Sequence, residues 1–318
     1  MDAPFARVAV AGTGLIGGSF ALAARQALPG VRIAGWDRPA VLQQALERGI
    51  IDTAHAQLAE ALAGAELIFV ALPVGVTIEQ LPAIARHAAA NALVTDAAST
   101  KREVCAAAQK CFGGNARFLG GHPMAGNEIS GLASASAELF CGASYALMET
   151  CESNDATDLA SRAPDAAGAG TQAIKPYAVK PFENSNDPRL AKFVQLVKAM
   201  GARPLWMDPQ THDRAAAFVS HLPQLLAVAL GGVVGAEADA TGLPLALAGR
   251  GLRDMLRLAG SPYAVWRDIL LTNTDNVDLA LARLCQAIEH LRLNLRSREL
   301  QGEFATANDV YKVLRDLQ

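Results

Sequence analysis

Short apolar runs alternate with helical patterns over the first 150 residues of the chain. Stretches such as "RVAVAG" and "ELIFVALP" are apolar at nearly every position, which is typical of strands covered on both faces. Between them, "LIGGSFALAARQAL" and "VLQQALERGI" repeat apolar residues at helical spacing. This alternation predicts an α/β domain built on a doubly wound parallel sheet. The predicted strands are 7–12, 32–37, 66–73, 93–99, 116–123 and 143–149.

The pattern changes twice in the second half of the chain. Residues 151–188 are dominated by Ser, Asn, Asp, Gly, Ala and Pro, so we expect a mobile insertion or linker there. A helix, a glycine stop and a short strand follow within "RLAKFVQLVKAMGARPLWMD". The expected organisation is a sheet domain at 1–150, the insertion, and an all-helical domain at 189–318. The predicted helices of that last domain are 212–238, 243–258, 262–294 and 297–316.

The composition is that of a folded protein with two domains. The chain has 318 residues, of which 51% are hydrophobic and 19% charged, and its net charge is −3. It has no block of Lys and Arg, so we expect neither a nucleic-acid partner nor an anionic membrane surface. Its five cysteines include no C-x-x-C pair, and no Cys/His spacing predicts a metal. We therefore expect a cytoplasmic protein with reduced thiols, no leader peptide and no metal.

One apolar stretch, residues 215–236, is long enough to span a bilayer. It carries His221, Pro223 and Gln224, and it has no flanking basic anchors. The sequence therefore favours a buried helix of a soluble protein over a membrane helix.

The hexapeptide "GTGLIG" places a G-x-G-x-x-G motif between the first predicted strand and the helix after it. Gly12 would allow the tight turn, Gly14 would let the backbone approach a pyrophosphate, and Gly17 would let helix and strand pack closely. The pyrophosphate would lie on the amides near Leu15 and Ile16, where the helix dipole favours anions. The motif predicts a Rossmann-type dinucleotide-binding domain.

The end of the second predicted strand bears on the choice of cofactor. Asp37 follows Gly17 by about 20 residues, where a carboxylate holds the 2′-hydroxyl of an adenosine ribose. Asp37 would repel the 2′-phosphate of NADP, although the neighbouring Arg38 could pair with one. The sequence therefore favours NAD and leaves NADP open.

Two polar side chains end predicted strands. Ser99 in "TDAASTK" and His122 in "GGHPMAG" both lie at carboxyl ends, where an open α/β sheet binds its ligands. Small residues around His122 leave room for a ligand beside the ring. An isolated histidine in an apolar segment is ordinarily a core residue, but the strand end favours a role at the nicotinamide pocket. An imidazole that titrates near neutrality suits acid–base chemistry there.

Two pairs of polar residues in the helical domain are also candidates for a role. Arg253 and Arg257 lie four residues apart and would share a helix face, where two guanidinium groups can clamp a dicarboxylate or remain ordinary surface groups. His212 and Asp213 open a predicted helix, and we expect them to serve its N-terminus.

The motif "SHLPQ" puts two polar residues, His221 and Gln224, on a mostly apolar helix. Taken alone, His221 is either a substrate contact or a buried structural imidazole. Gln224 follows three residues later and would face the same cleft. Its neutral amide can donate to a carbonyl or carboxylate oxygen and can also accept from an ammonium group, whereas a carboxylate at this position would demand the ammonium group.

Several motifs, taken together and in this order, resemble the prephenate/arogenate dehydrogenase family of tyrosine biosynthesis. They are "VAGTGLIGGS", "ALPVGV", "TDAASTK", "GHPMAGNEISG", "SHLP" and "GLRDMLRLAGS" with "WRDI". The resemblance implies NAD-dependent oxidative decarboxylation of prephenate to 4-hydroxyphenylpyruvate. Hydride leaves the ring carbon that bears the 4-hydroxyl, and carbon dioxide leaves as the ring becomes aromatic. The resemblance also implies a homodimer formed by the helical domains.

The same resemblance implies roles for individual residues. His122 matches the catalytic histidine that polarises or deprotonates the 4-hydroxyl, and Ser99 matches the serine that orients hydroxyl and nicotinamide. His221 matches a second histidine that contacts substrate, and Arg257 matches the carboxylate-binding arginine, with Arg253 at a neighbouring basic position. The cofactor-binding residues implied are Gly12, Gly14, Leu15, Ile16, Gly17, Asp37, Arg38 and Pro73.

The chain departs from the family at one motif, where "SHLPQ" replaces the frequent "SHLPH". Gln224 therefore takes the place of a histidine near the substrate side chain. Arogenate, an amino acid, is therefore an open alternative to the keto acid prephenate. A β-hydroxyacid or imine-type reductase is a second alternative, but it would need a catalytic lysine or aspartate on the interdomain helix. A non-catalytic NAD-binding redox sensor is a third, and it would need no set of histidine, serine and arginine.

Overall fold

The structure, a computed structural model, describes residues 5–114, 116–126, 131–149, 187–238, 242–297 and 300–316. The predicted insertion at 151–188 lies outside these residues apart from its last two, Asp187 and Pro188. Asp187 caps the next helix by accepting a hydrogen bond from the Arg189 amide, and Pro188 is the first helical residue.

An eight-stranded sheet organises the first part of the chain. The strands are β1 Arg7–Ala11, β2 Arg32–Trp36, β3 Thr53–His55, β4 Leu67–Val70, β5 Leu93–Asp96, β6 Arg117–Pro123, β7 Ser144–Glu149 and β8 Arg203–Trp206. Their spatial order is β3-β2-β1-β4-β5-β6-β7-β8, and the strands from β3 to β6 are parallel. The order reverses between β1 and β4, which is the switch point where such sheets bind dinucleotides. The predicted Rossmann-type fold is confirmed.

The far edge of the sheet differs from the prediction. Strand β7 runs antiparallel to β6, and β8 pairs with β7 in parallel. The helix that precedes β8 buries Leu190, Phe193 and Val197 against the sheet, so the sheet domain continues to Trp206. The predicted start of the helical domain at 189 is therefore wrong. The insertion separates β7 from its neighbour β8 along the chain, and this hid their pairing.

Thirteen helices belong to the part of the chain that the structure describes. They are α1 Leu15–Ala27, α2 Pro39–Glu47, α3 Leu58–Leu62, α4 Val74–His87, α5 Arg102–Cys111, α6 Pro188–Ala199, α7 Pro209–Ala216, α8 Leu222–Ala238, α9 Leu243–Ala246, α10 Arg250–Leu256, α11 Tyr263–Thr272, α12 Thr274–Leu293 and α13 Gln301–Asp316. Helices α1, α2 and α6 cover one face of the sheet, and α3, α4 and α5 cover the other.

Side-chain alternation along the central strands divides the core between these two faces. Val10 and Phe69 join the core under α1, whereas Ala9 and Val70 join the core on the opposite face. The ring of Phe69 stacks on Phe20 of α1 with centroids 3.7 Å apart. Because both faces are covered, the central strands read as continuous apolar runs in the sequence.

The helical domain is more broken than predicted. The expected helix at 243–258 is two short helices, α9 and α10, because the chain becomes extended at Gly249. The expected helix at 262–294 is interrupted at Asn273, where α11 gives way to α12. One turn of π-helix, Ala217–His221, joins α7 to α8.

Helix α8 was expected to be buried, and within the single chain it is not. Only Gln224, Ala227 and Ala238 of this helix are buried. The continuous helical run Pro209–Ala238 has a mean hydropathy of 1.7 and is long enough to cross a membrane, with 22% of its most apolar part buried. Length and composition alone are weak evidence for a membrane span, and a protein partner would cover the same face.

Candidate active site

The turn from β1 into α1 has the geometry that the G-x-G-x-x-G motif requires. Gly12 has a φ of +91°, and a Cβ at this residue would lie 2.3 Å from the Ala71 carbonyl oxygen. A Cβ on Gly17 would lie 1.8 Å from the Gly12 carbonyl oxygen. The Cβ position of Gly14 has no atom within 4 Å, so the backbone there is open to a ligand. Helix α1 begins at Leu15 without a side-chain cap, as an anion-binding N-terminus requires. These residues fit a dinucleotide.

Asp37 follows β2 and holds its carboxylate beside the same turn. Its Oδ2 accepts a hydrogen bond from the Thr13 amide at 2.7 Å, and its Oδ1 accepts one from the Arg38 amide at 2.7 Å. The Asp37 side chain is 16% exposed, whereas that of Arg38 is 85% exposed. The carboxylate is thus fixed where Rossmann domains recognise an adenosine ribose, and the guanidinium extends into solvent.

A cleft of about 420 Å³ opens beside the glycine-rich turn, between the sheet and helix α11. Five predicted site residues line it together: Gly14, Leu15, Ile16, Pro73 and Ser99. Helix α11 and the turn before it supply the opposite wall, which consists of Ser261, Pro262, Ala264, Val265 and Ile269. This interdomain cleft joins the expected pyrophosphate site to the strand end that carries Ser99.

His122 lies near the end of β6 and is tied to two residues of α7. Its Nδ1 lies 2.9 Å from Nε2 of His212, whose Nδ1 lies 2.8 Å from Oδ1 of Asp213. An ionised carboxylate only accepts, so His212 donates from Nδ1 and accepts at Nε2. His122 then donates from Nδ1, and its Nε2 keeps the lone pair. The network holds His122 as a neutral imidazole with Nε2 available to take a proton.

The surroundings of His122 favour this neutral form. Burial lowers the pKa of His122 well below its usual value of 6.5, and unfavourable electrostatic interactions of a charged His122 ring with His212, Lys101 and His221 lower it further. The imidazole therefore stays uncharged at pH values where a surface histidine is protonated. The sequence-based expectation of an ionisation near neutrality is wrong for this histidine.

Asp213 anchors the network to the sheet domain. Its Oδ1 accepts from the Lys101 amide at 2.7 Å, and its Oδ2 accepts from the Arg102 amide at 2.9 Å. Burial opposes ionisation of Asp213, but hydrogen bonds from His212 and from the Arg102 amide hold its pKa below the usual value. Asp213 is thus an ionised carboxylate that fixes the orientation of both imidazoles.

The predicted capping role of His212 and Asp213 at their own helix is wrong. Asp208 caps α7 by accepting from the Thr211 amide at 2.8 Å, and Asp213 caps α5 instead. The sequence held a signal for this. Asp208 and Pro209 already provide the N-cap and the first residue of α7, so this helix does not need His212 and Asp213 as caps.

A buried ion pair lies behind Ser99 and His122. The Lys101 ammonium pairs with Asp96 and donates to the Gly121 carbonyl at 2.8 Å, and both charged side chains are fully buried. Asp96 accepts in return from the Gly121 amide at 3.0 Å. The pair ties the backbone after Ser99 to the backbone before His122. Sequence reasoning missed it because a lysine in a helix start normally indicates a solvated residue.

The two glycines before His122 are required by this packing. A Cβ on Gly120 would lie 2.8 Å from the Cys105 sulfur, and one on Gly121 would lie 2.5 Å from the Asp96 carbonyl oxygen. The small residues were expected to leave room for a ligand. They instead allow β6 to pass close to its neighbours and bring His122 into contact with His212.

His221 approaches the network from the helical domain. It ends the π-helical turn and is 1% exposed. Its Nδ1 lies 3.3 Å from Nδ2 of Asn273, which also donates to the Asp213 carbonyl at 2.7 Å. Burial lowers the pKa of His221 to about 4, so this ring is neutral as well. Because the Asn273 amide donates to Nδ1, the proton of His221 is on Nε2, which can donate a hydrogen bond.

The remaining predicted substrate residues lie outside the interdomain cleft. Arg253 on α10 and Arg257 in the turn after it are exposed, and neither lines the cleft. Gln224 is buried in the first turn of α8, three residues after His221. Of the predicted catalytic residues, Ser99 lines the cleft. His122 and His221 do not line it and belong instead to the hydrogen-bonded cluster around His212, Asp213 and Asn273. The two arginines lie at the surface of the single chain.

A dinucleotide turn, a serine at a strand end and a neutral imidazole held as a proton acceptor define a nicotinamide-dependent oxidoreductase with a second, helical domain. Comparison with protein families identifies which one. Residues 20–169 match the nucleotide-binding domain of prephenate dehydrogenase, and residues 208–307 match its dimerization domain. The chain belongs to the prephenate dehydrogenase family, and the predicted family, fold and NAD cofactor are confirmed.

Individual relatives agree with this assignment. The prephenate dehydrogenase of Lactococcus lactis subsp. cremoris is 31% identical over 93% of this chain and 73% of that protein. Prephenate dehydrogenase from Aquifex aeolicus, solved with hydroxyphenyl propionate and NAD⁺, superposes with a TM-score of 0.76 at 26% identity, covering 97% of this chain and 96% of the other. Synechocystis arogenate dehydrogenase superposes with a TM-score of 0.70 at 26% identity, covering 97% and 99%.

Proposed function

We propose that this protein is an NAD-dependent prephenate dehydrogenase that converts prephenate to 4-hydroxyphenylpyruvate. The observation that carries the proposal is the chain of contacts from His122 through His212 to Asp213. It provides a proton acceptor near the strand end that carries Ser99, which lines a cleft shared with the glycine-rich turn. The names of the related proteins, which include prephenate dehydrogenases, support the same reaction.

The residues of this chain hold the cofactor and move one proton. The glycine-rich turn and Asp37 hold NAD, which when bound accepts the hydride that leaves C4 of the substrate. His122 takes the 4-hydroxyl proton on Nε2, and Ser99 orients that hydroxyl. When carbon dioxide leaves C1, its bonding electrons complete the aromatic ring, and His122 returns the proton to the ring oxygen. Aromatisation drives the reaction, so the protein mainly positions the reacting groups.

His212 and Asp213 support His122 at the moment it becomes charged. The carboxylate fixes the tautomer of His212, which fixes that of His122, as the aspartate does for the histidine of a serine protease triad. The positive charge that forms on His122 is then stabilised through the hydrogen-bonded pair. The two residues are positioning groups and have no direct contact with the substrate in this mechanism.

Arg257 and His221 are the proposed partners of the substrate carboxylates. Arg257 lies just before Ser261 and Pro262, which line the cleft, and Arg253 lies one helical turn earlier. The His221 Nε2 donor adds a neutral hydrogen bond from the other side. Gln224 lies one turn after His221 and offers no negative charge to an ammonium group, which favours prephenate over arogenate.

The working protein is proposed to be a cytoplasmic homodimer. Helices α8 and α9 expose apolar side chains, among them Val228, Val233 and Leu243, and they lie within the match to the family's dimerization domain. An isologous pairing of two helical domains would cover both faces at once. The described cysteines are free thiols, which suits a reducing compartment.

The test crosses two substrates with two cofactors. Purified protein is supplied with prephenate or arogenate and with NAD or NADP, and reduction of the cofactor is followed. We expect the highest kcat/KM for prephenate with NAD, with weak activity on arogenate. Tight NAD binding without turnover of either substrate would contradict the proposal and favour the redox sensor. A preference for arogenate would make the Gln224 argument wrong.

A further inference from the structure

One face of helix α11 packs against the sheet domain. Val265 and Ile269 line the interdomain cleft, and Asp268 and Thr272 contact residues of the sheet domain. Spacings of three, four and seven residues place these four side chains on the same side of a helix. Thr272 Oγ1 lies 2.7 Å from Oγ1 of its partner, Thr100. The position of α11 therefore sets one wall of the cleft.

Asp268 joins this wall to the first turn of α4. Its Oδ2 accepts a hydrogen bond from the Gly75 amide at 3.1 Å. Gly75 directly follows Pro73 and Val74, which line the opposite wall of the cleft. Helix α4 has no acidic residue in its first turn and no side-chain cap of its own. A carboxylate from the helical domain thus occupies the place where the helix dipole favours a negative charge.

The contact with Asp268 requires a glycine at position 75. A Cβ there would lie 2.8 Å from Oδ2 of Asp268, which is too close for any other residue without movement. Asp268 is 8% exposed, so its carboxylate needs a partner. Its other partner, Arg267, is 59% exposed, and such surface pairs contribute little. The bond to Gly75 is therefore the main contact that Asp268 makes between the domains.

We propose that Asp268 is a positioning residue for the cofactor. By bonding to Gly75, it fixes the distance between α11 and residues 72–74, the two walls between which the nicotinamide dinucleotide binds. The inference rests on the proposed NAD-dependent function, and it gives Asp268, the aspartate of "WRDI", a role in cofactor binding. Its loss allows the walls to separate and weakens the cofactor site, while His122 and its network remain in place.

The test compares NAD affinities in full-length protein without substrate. Asp268→Ala should raise the Kd for NAD about tenfold, because a hydrogen bond to a charged group is lost. Asp268→Asn keeps an oxygen that can accept from Gly75 and should stay within about threefold of wild type. Arg267→Ala removes the exposed second partner of Asp268 without touching the bond to Gly75 and serves as the control, with unchanged affinity. Equal NAD affinity of Asp268→Ala and wild type would overturn the proposal.

A second substitution separates this contact from a general loss of stability. Gly75→Ala alone should weaken NAD binding, because the new Cβ meets the carboxylate, and it should add little once Asp268 is alanine. Full additivity of the two substitutions would also overturn the proposal. Prephenate oxidation at saturating NAD is measured in parallel. A wild type that binds NAD without oxidising prephenate would contradict the proposed reaction, while NAD affinity would still decide the role of Asp268.

Discussion

His122 is the residue on which the proposed chemistry depends most directly. His122→Asn removes the proton acceptor and should lower kcat by about 10²–10⁴-fold, the usual contribution of a positioned acid–base group. NAD affinity should stay near that of wild type, because the glycine-rich turn is untouched. The control is His87→Asn, which changes an exposed histidine at the end of α4 and should leave kcat unchanged. More than a third of wild-type turnover in His122→Asn would remove it from the mechanism.

Asp213 tests whether the tautomer of His122 matters. In Asp213→Asn an amide can donate to His212 Nδ1, which reverses both hydrogen bonds and leaves a proton on Nε2 of His122. We expect kcat to fall by about 10²–10⁴-fold, since the imidazole can no longer accept. The matched control is Asp275→Asn, which alters an exposed carboxylate paired with Arg102 at the same domain boundary. Equal kcat values for the two variants, at equal thermal stability, would show that the network has no catalytic task.

At the scale of elements, the end of β2 next to the glycine-rich turn determines the choice of cofactor. Asp37→Ala removes the carboxylate that lies beside Thr13 and should weaken NAD binding about tenfold, because a hydrogen bond to a charged group is lost. NADP binding should improve relative to NAD, because the charge that repels a 2′-phosphate is gone. The ratio of the two Kd values is the quantity to measure, since a general folding defect would change both alike. An unchanged ratio would mean that another residue contacts the ribose.

Elements whose local pattern matches their environment could be predicted from the sequence. The central strands are apolar on both faces because helices cover both, and the glycine motif follows from close backbone contacts at Gly12 and Gly17. Strand β3 was missed because it has only three residues. Strand β8 was predicted, but its pairing with β7 was missed because the insertion separates the two strands along the chain. Such pairings depend on contacts that are remote along the chain, which local patterns do not encode.

Site residues could be predicted only where their position in a strand or helix indicates that they lie near the ligand. Ser99 and His122 follow predicted strands, so their location could be inferred from the sheet. Lys101 and Asp268 give no such signal, because a charged residue in a helix or directly before one normally faces solvent. Their burial arises from the packing of one domain on the other. Arg253 and Arg257 were expected in the substrate site, and they lie at the surface of the single chain.

At the scale of the whole molecule, the exposed apolar helices predict a dimer. Light scattering should give twice the 33.2 kDa mass of one chain. Val233 is 65% exposed on α8, and Val233→Asp should shift the protein towards monomer because a charge would be buried in the interface. Leu46→Asp changes an exposed residue of the sheet domain and should leave the dimer intact. A wild-type particle of one chain's mass would contradict the dimer.

The pH dependence of kcat/KM for prephenate with NAD tests the central claim most directly, because it requires both the reaction and a neutral His122. This parameter reports the ionisation of the free enzyme, and the base is active only when deprotonated. Burial lowers the pKa of His122, so kcat/KM should remain level as the pH falls through 6.5 and should decline only at lower pH. The residual kcat/KM of His122→Asn should not fall over the pH range in which that of the wild type declines, because the variant lacks the ionising group. Absence of NADH formation, or a half-loss of kcat/KM at or above pH 6.5, would contradict the account.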